Sequence, residues 1–384
     1  MGNAEKTPIC KVAKKCGACQ ISNMDYNRQL NFKQATAVKL LKRFGHVNKI
    51  IGMAYPYYYR NKVQASVQRA ANGSTITGVY QSTTGRAVVT DDCFINDSKA
   101  NEIIKEIRRL LISLKITPFN PRSGKGTVRH IMVRKASATG EYMAVLVCAC
   151  DRLNNEKQLV EGITEKFGEI KTILLNVNTS PKMMLGSYER VLFGDGFIED
   201  ILCGKRFRIS ARSFYQINPT QTEVLYSTAI DLADLTGSEH ILDAYCGIGT
   251  IGIAASDKAK SVVGVEVNGE AVNDAKENAK LNDVKNARYY KADAALFMRE
   301  AVQRGEHFDA VFIDPPRAGC SKVFLESLVY LKPEKLIYVS CNPQTLSRDL
   351  YFLVHNGYKV NRIQPVDMFP HTVHVECVVL VDRK

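Results

Sequence analysis

Residues 241–256, Ile241-Leu242-Asp243-Ala244-Tyr245-Cys246-Gly247-Ile248-Gly249-Thr250-Ile251-Gly252-Ile253-Ala254-Ala255-Ser256, run from a short apolar stretch into three spaced glycines. The spacing Gly247-x-Gly249-x-x-Gly252 lets a backbone turn tightly and approach a ligand held against the N-terminus of the helix that follows. Working outward, strand-like runs at Ser261–Val265, Ala310–Ile313 and Lys335–Ser340 alternate with helical stretches at Gly269–Leu281 and Lys322–Leu331. This rhythm begins near Gly204 and predicts an α/β fold, a doubly wound parallel sheet whose ligands lie at the carboxyl ends of the strands.

Upstream the pattern changes. A helix is expected over Tyr26–Arg43, then hairpin-rich runs at Lys62–Val67, Ser74–Tyr80 and Arg86–Thr90. Helices at Lys99–Leu114 and Glu156–Phe167, with strands at Thr127–Lys135, Glu141–Cys150 and Thr172–Val177, complete a separate α+β module. The reading divides the chain into an N-terminal segment 1–50, a central α+β module 51–203 and the α/β domain 204–384.

The chain has 384 residues, 45% of them hydrophobic and 24% charged, which excludes a disordered, collagen-like or disulfide-stapled protein. Its net charge of +13 is one-sided: residues 1–200 carry 30 Lys and Arg against 17 Asp and Glu, leaving 22 against 22 in the remainder. That asymmetry predicts a polyanionic partner for the N-terminal half. The first residues contain no apolar targeting core and lack the Ser or Thr that myristoylation prefers, and no stretch is long and apolar enough to span a bilayer. A cytoplasmic protein with no membrane partner is expected. Eleven cysteines, an odd number, then read as ligands, catalysts or buried thiols rather than as disulfides.

The strand ends carry the chemistry. Glu266 lies 19 residues beyond Gly247, placed to accept hydrogen bonds from ribose hydroxyls, and to this point a nicotinamide dinucleotide and S-adenosylmethionine fit alike. Asp314-Pro315-Pro316-Arg317 adds an acid and a rigid bend at another strand end, which favours S-adenosylmethionine. Cys341 stands where a further strand leaves the sheet, ahead of a proline-constrained turn, and is suited to present a thiolate. Cys320 is its rival, while Cys148, Cys150, Cys203, Cys246 and Cys377 read as buried and inert. Glu376 enters an almost wholly apolar strand region spanning Phe369–Leu380, so it should be paired or act as a base. His371 and His374 could form a metal pair but lack a third ligand. One thiolate, one carboxylate and one methyl donor suit methylation of uracil C5: the thiolate adds to C6, C5 becomes nucleophilic, and a base then removes the C5 proton.

These residues resemble the bacterial RNA uracil-C5 methyltransferases, specifically the iron–sulfur branch that modifies 23S ribosomal RNA. The resemblance rests on Ser340-Cys341-Asn342-Pro343, Asp314-Pro315-Pro316-Arg317, Asp243-Ala244-Tyr245-Cys246-Gly247-x-Gly249, Phe214-Tyr215-Gln216-Ile217-Asn218 and His374-Val375-Glu376. It implies a class I, Rossmann-like methyltransferase domain with Cys341 as nucleophile and Glu376 as base. It also implies Gln216, Tyr245, Glu266 and Asp314 as contacts to S-adenosylmethionine. By spacing alone, Cys10-x5-Cys16-x2-Cys19 with Cys93 could hold a 4Fe–4S cluster or zinc. The likeness of Cys16-Gly17-Ala18-Cys19-Gln20, followed by Tyr26 and Gln29-Leu30, implies a structural 4Fe–4S cluster held by the N-terminal segment. Ala18 and Ser22-Asn23 depart from the branch, which usually has Gly and Gln-His there.

Many relatives begin with a small β-barrel RNA-binding domain, whereas only nine residues precede Cys10 here, so RNA affinity is expected from the basic half. Tyr57-Tyr58-Tyr59-Arg60-Asn61-Lys62 interleaves aromatics with cations, and Arg129, Arg134 and Lys135 add charge. The expected partner is 23S ribosomal RNA, with its uridine flipped out of the RNA and no DNA bound. A transfer-RNA uracil methyltransferase, a dinucleotide-dependent iron–sulfur oxidoreductase and a non-catalytic RNA-binding protein are the alternatives.

Overall fold

The computed structural model describes residues 10–81, 84–180 and 184–384. The targeting and myristoylation reading of residues 1–9 lies outside them. The chain forms two compact units: one holds residues up to Ser22, Pro56–Asp200 and Ile209–Arg212, the other Asn23–Tyr55, Ile201–Arg208 and Ser213–Lys384. Among the described residues no helix is long and apolar enough to cross a membrane.

The first unit carries the short helix α1 (Ala13–Cys16) and a seven-stranded sheet of order β3-β2-β1-β4-β5-β6-β7. Its strands are β1 (Lys62–Arg69), β2 (Thr75–Tyr80), β3 (Ala87–Val89), β4 (Val128–Lys135), β5 (Tyr142–Cys148), β6 (Ile170–Val177) and β7 (Tyr188–Phe193). All neighbours are antiparallel except β5 and β6. Helices α3 (Ser98–Ser113) and α4 (Glu156–Lys166) join the same core as the sheet: Ile103, Ile107, Leu110, Leu111, Leu159 and Ile163 are buried with Val63, Ile131 and Leu146. Asp97 starts α3 by accepting from the Ala100 amide at 2.9 Å, and also takes bonds from the Tyr142 hydroxyl and Lys135.

The second unit has the helix α2 (Tyr26–Leu41) and a seven-stranded sheet of order β12-β11-β10-β13-β14-β16-β15. Strands β10 (His240–Ala244), β11 (Ser261–Glu266), β12 (Ala287–Lys291), β13 (Ala310–Ile313) and β14 (Lys335–Ser340) are parallel; β16 (Glu376–Arg383) runs against β14, and β15 (Tyr358–Val366), antiparallel to β16, runs in the same direction as the parallel five. Between them come α5 (Pro219–Ala233), α6 (Thr250–Ala255), α7 (Gly269–Leu281), α8 (Ala294–Gln303), α9 (Lys322–Leu331) and α10 (Pro343–His355). The chain passes between units along β8 (Phe197–Leu202) and β9 (Lys205–Ser210), which pair with each other. The strand order reverses between β10 and β13, so the loops leaving those two strands open at a topological switch point.

Three departures from the sequence-based expectations bear on how the units are built. The segment 1–50 does not fold as one piece, because α2 buries Gln29, Lys33, Ala37 and Leu41 in the second unit, where the Ser347 hydroxyl donates to the Leu40 carbonyl at 3.0 Å. The last strand begins at Glu376 and not near Phe369: Pro370 has no amide hydrogen to give a ladder, and His371 takes a left-handed φ of 70°. Strand β12 escaped notice because it is an edge strand with only Tyr289 buried.

Candidate functional site

Two short-range devices build the glycine loop. Gly249 has a φ of 84°, and a Cβ there would lie 3.1 Å from the Tyr289 hydroxyl. At Gly252 a Cβ would come within 3.0 Å of Asp243 Oδ2, which accepts the Gly252 amide at 2.9 Å. Asp243 is buried, and desolvation raises its carboxyl to about 7. The sequence reading gave it no role, although an acid closing an apolar strand was the available signal. Glu266 ends β11, accepting the Gly247 amide at 3.3 Å and the Asn268 amide at 2.8 Å. Tyr245, with a φ of 70°, sets its ring 5.0 Å from that of Phe324.

Asp314 follows β13 directly, and Ala244 pairs with Ile313, so Tyr245 and Asp314 leave adjacent strands side by side. Burial raises the Asp314 carboxyl. Gln216 is buried and hydrogen-bonds the hydroxyl of Tyr226, which lies in electrostatic reach of Asp314 and accepts from Thr250 at 3.4 Å. Gln216, Tyr245, Glu266 and Asp314 are thereby gathered around the carboxyl ends of β10, β11 and β13. Tyr226 is a further member that periodicity could not reveal, since an internal helix tyrosine reads as core.

Cys341 and Asn342 are the two residues between β14 and α10. Asn342 caps the helix by accepting the Gln344 amide at 3.1 Å, and Pro343 follows at its first turn. The antiparallel register sets Ser340 opposite Cys377, so Cys341 and Glu376 come next on their two strands at the same end of the sheet. The Asp314–Arg317 bend docks there too: the Arg317 carbonyl accepts from Asn342 Nδ2 at 3.0 Å and from the Thr345 hydroxyl at 3.3 Å.

The electrostatics follow from that crowding. Burial, then the charges of Glu376 and Asp314, push the Cys341 thiol up to about 11, and Arg317 opposes the rise. Glu376 is 2% exposed, and its Oε2 has no hydrogen-bond partner among the described residues. Burial and Asp314 raise its carboxyl well above the ordinary range, and Arg317 again opposes. Arg317 was visible in the sequence only as the end of a bend. Its role as the cation acting on both groups is a tertiary result.

Cys320 is a different thiol. It is 4% exposed, its amide donates to Asp349 at 2.8 Å, its sulfur lies 3.5 Å from the Tyr338 hydroxyl, and burial lifts it to about 12. Such a thiol is walled into the core. Two of the cysteines read as buried are not: Cys150 is exposed because β5 ends at Cys148, and Cys203 is half-buried.

In the first unit Cys10, Cys16, Cys19 and Cys93 line one cavity of about 260 Å³. Cys19 is pushed up to about 12, by burial first and then by Cys93, with Cys16 and Cys10 also contributing. The amides of Ile95 and Asn96 donate to the Cys93 sulfur, and the guanidinium of Arg60 lowers both Cys19 and Cys93. Among the described residues no group of three or more His, Cys, Asp or Glu is arranged to hold a metal ion.

The expected RNA-contacting cations are largely engaged within the unit. Arg134 is 3% exposed and donates to the Ser210 carbonyl at 2.5 Å, Lys135 pairs with Asp97 at 2.9 Å, and Arg129 donates to the Asn178 carbonyl at 2.6 Å. Tyr59 and Asn61 are buried, which leaves Tyr58 as the exposed member of its run. The sequence shows their charge and their strand, but only packing shows which carbonyls and carboxylates hold them.

The sheet order, the glycine loop at the switch point and the thiol–carboxylate pair at the strand ends define the class, a Rossmann-like methyltransferase. Residues 186–384 match the tRNA (uracil-5-)-methyltransferase family. An uncharacterized RNA methyltransferase of Clostridium acetobutylicum is 44% identical over 98% of this chain and 83% of its own, and one of Bacillus cereus is 40% identical over the same shares. The crystal structure of Pyrococcus abyssi tRNA (uracil-54, C5)-methyltransferase in complex with S-adenosyl-L-homocysteine matches with a TM-score of 0.79 and 27% identity, covering 94% of this chain and 85% of that one. The chain belongs to the tRNA (uracil-5-)-methyltransferase family and is an RNA methyltransferase of the uracil-C5 type.

Proposed function

We propose that this protein methylates C5 of a uridine in 23S ribosomal RNA through a covalent bond between Cys341 and uracil C6. The observation that carries the chemistry is the strand register, which sets Cys341 and Glu376 next on adjacent strands. S-adenosylmethionine, held by Gln216, Tyr245, Glu266 and Asp314, supplies an electrophilic methyl group. Asp243 orients the glycine loop through the Gly252 amide. Cys341 adds to C6 as the thiolate, favoured by Arg317 and by the N-terminus of α10. Glu376, a carboxylate held without a hydrogen bond to Oε2, takes the proton from C5, and the C6–sulfur bond then breaks to free the thiolate.

The proposed target rests on the resemblance that Cys10, Cys16, Cys19 and Cys93 carry to the 23S ribosomal RNA branch; the four line one cavity and would be the thiolates offered to a 4Fe–4S cluster, although as placed they form no metal-holding group. The cluster would brace the first unit, because the reaction moves no electrons. Transfer RNA is the second reading, favoured by the Pyrococcus abyssi neighbour. The test is methyl transfer from labelled S-adenosylmethionine by anaerobically purified protein to unmodified 23S ribosomal RNA and, separately, to unmodified transfer RNA. Label at uridine C5 of 23S RNA alone is expected, abolished in Cys341→Ala and arrested as a covalent RNA adduct in Glu376→Gln. Label on transfer RNA alone would keep the chemistry and overturn the target, and full turnover by Cys341→Ala would overturn the mechanism.

A further inference from the structure

Glu376 is the first residue of β16, and its partner Val366 is the last of β15. The turn between them, residues 367–375, therefore leaves from and returns to one rung of the ladder. The direction of the Glu376 side chain depends on how that turn is held. Helix α2, more than 330 residues away in sequence, holds it at three points.

Lys33 Nζ donates to Asp367 Oδ1 at 2.5 Å and to the Phe369 carbonyl at 2.8 Å. The Tyr26 hydroxyl donates to Asp367 Oδ2 at 2.8 Å and accepts the Met53 amide at 2.7 Å. Gln29 accepts the His371 amide at 2.8 Å and meets His371 Nδ1 at 3.2 Å. The start of α5 also ties the same turn, through Gln221 Nε2 to the Asp367 carbonyl and Asn218 Nδ2 to the Met368 carbonyl, both at 3.0 Å.

Two features mark this grip as more than packing. His371 is a non-glycine residue at a φ of 70°, a conformation that persists only where its surroundings over-determine it, and Gln29 binds it at both its amide and its ring. Lys33 and Asp367 are both wholly buried, where an apolar pair of the same volume would hold the helix equally well or better. What the charged pair adds is direction.

We infer that α2 positions the catalytic base: through Tyr26, Gln29 and Lys33 it fixes the turn 367–375 and so aims Glu376 at the proton it removes. This rests on the reading of Glu376 as base. Tyr26, Gln29 and Lys33 are positioning residues that touch neither substrate nor methyl donor. Loosening them slows proton removal and thiolate release while leaving the methyl-transfer step, which precedes proton removal, nearly intact.

The experiment is single-turnover methylation of the RNA that the wild-type protein accepts, following label incorporation and covalent adduct separately on denaturing gels. Tyr26→Phe and Gln29→Leu are the mild variants, and Lys33→Met is the severe one. The expected result is incorporation within about twofold of wild type and adduct decay slowed by about tenfold or more, so that adduct accumulates as in Glu376→Gln. Incorporation and decay slowed by one common factor in the mild variants, or neither slowed, would reduce α2 to a packing element and overturn the inference. If Glu376→Gln itself left no adduct, the base assignment would fall first, and the positioning role with it.

Discussion

Replacing Glu376 by glutamine should stabilise the protein in a pH-dependent way. The side chain is 2% exposed with Oε2 lacking a partner, and burial raises its carboxyl above its ordinary value of 4.5. A carboxyl whose folded value is raised contributes stability that is fully present below the unfolded value and is lost as pH rises through the folded one. Glutamine is nearly isosteric with the protonated carboxyl and never ionises. The two proteins should therefore match near pH 4 and diverge as the pH rises through neutrality. Leaving a buried polar group unsatisfied costs about 1–3 kcal/mol, more when it is charged, so Glu376→Gln should gain at least about that amount at pH 9. For a unit of this size each kcal/mol moves the melting temperature by about 2–4 °C. Calorimetric unfolding of both proteins from pH 4 to pH 9 measures the difference directly. Parallel profiles, or a glutamine variant less stable at pH 9, would refute the argument by showing that Glu376 ionises in place at little cost.

Two further outcomes follow from the same geometry. Arg317→Met removes the cation that opposes the rise of the Cys341 thiol, so alkylation of Cys341, read by mass spectrometry of its own peptide, should begin at higher pH than in wild type; an unchanged alkylation profile would show that Arg317 does not act on the thiol. Asp97→Ala deletes the cap of α3 together with bonds from Tyr142 and Lys135, and should destabilise the first unit by about 2–4 kcal/mol in urea unfolding.

Most of the candidate residues could be named from the sequence because they lie at strand ends, where a period of two gives way to glycine, proline or an unexpected polar group. Asp314, Cys341 and Glu266 each close an apolar run, and an acid or thiol there has few structural uses. Gln216 and Tyr245 came only from the family resemblance, for neither breaks a local pattern. The cations of β4 are the converse case, since their partners are invisible in the sequence. Arg134 and Lys135 are neighbouring cations on a strand, and the carbonyls of Ser210 and Ala211 and the carboxylate of Asp97 accept from them.

Local sequence determined the parallel core of the second unit, because propensity, capping and hydrophobic period act over a few residues and agree along Gly269–Leu281, Ala310–Ile313, Lys322–Leu331 and Lys335–Ser340. It also named the thiol and the carboxylate. Only the tertiary structure sets them at one end of the sheet: strand β16 enters against β14 in the register that puts Ser340 opposite Cys377. Only it decided that α2 belongs to the second unit, since a buried lysine in a helix finds its partner, Asp367, through packing and not through any spacing in the chain. Such contacts are set by the energy of burying charge and strained backbone together, a quantity that no local window of sequence contains.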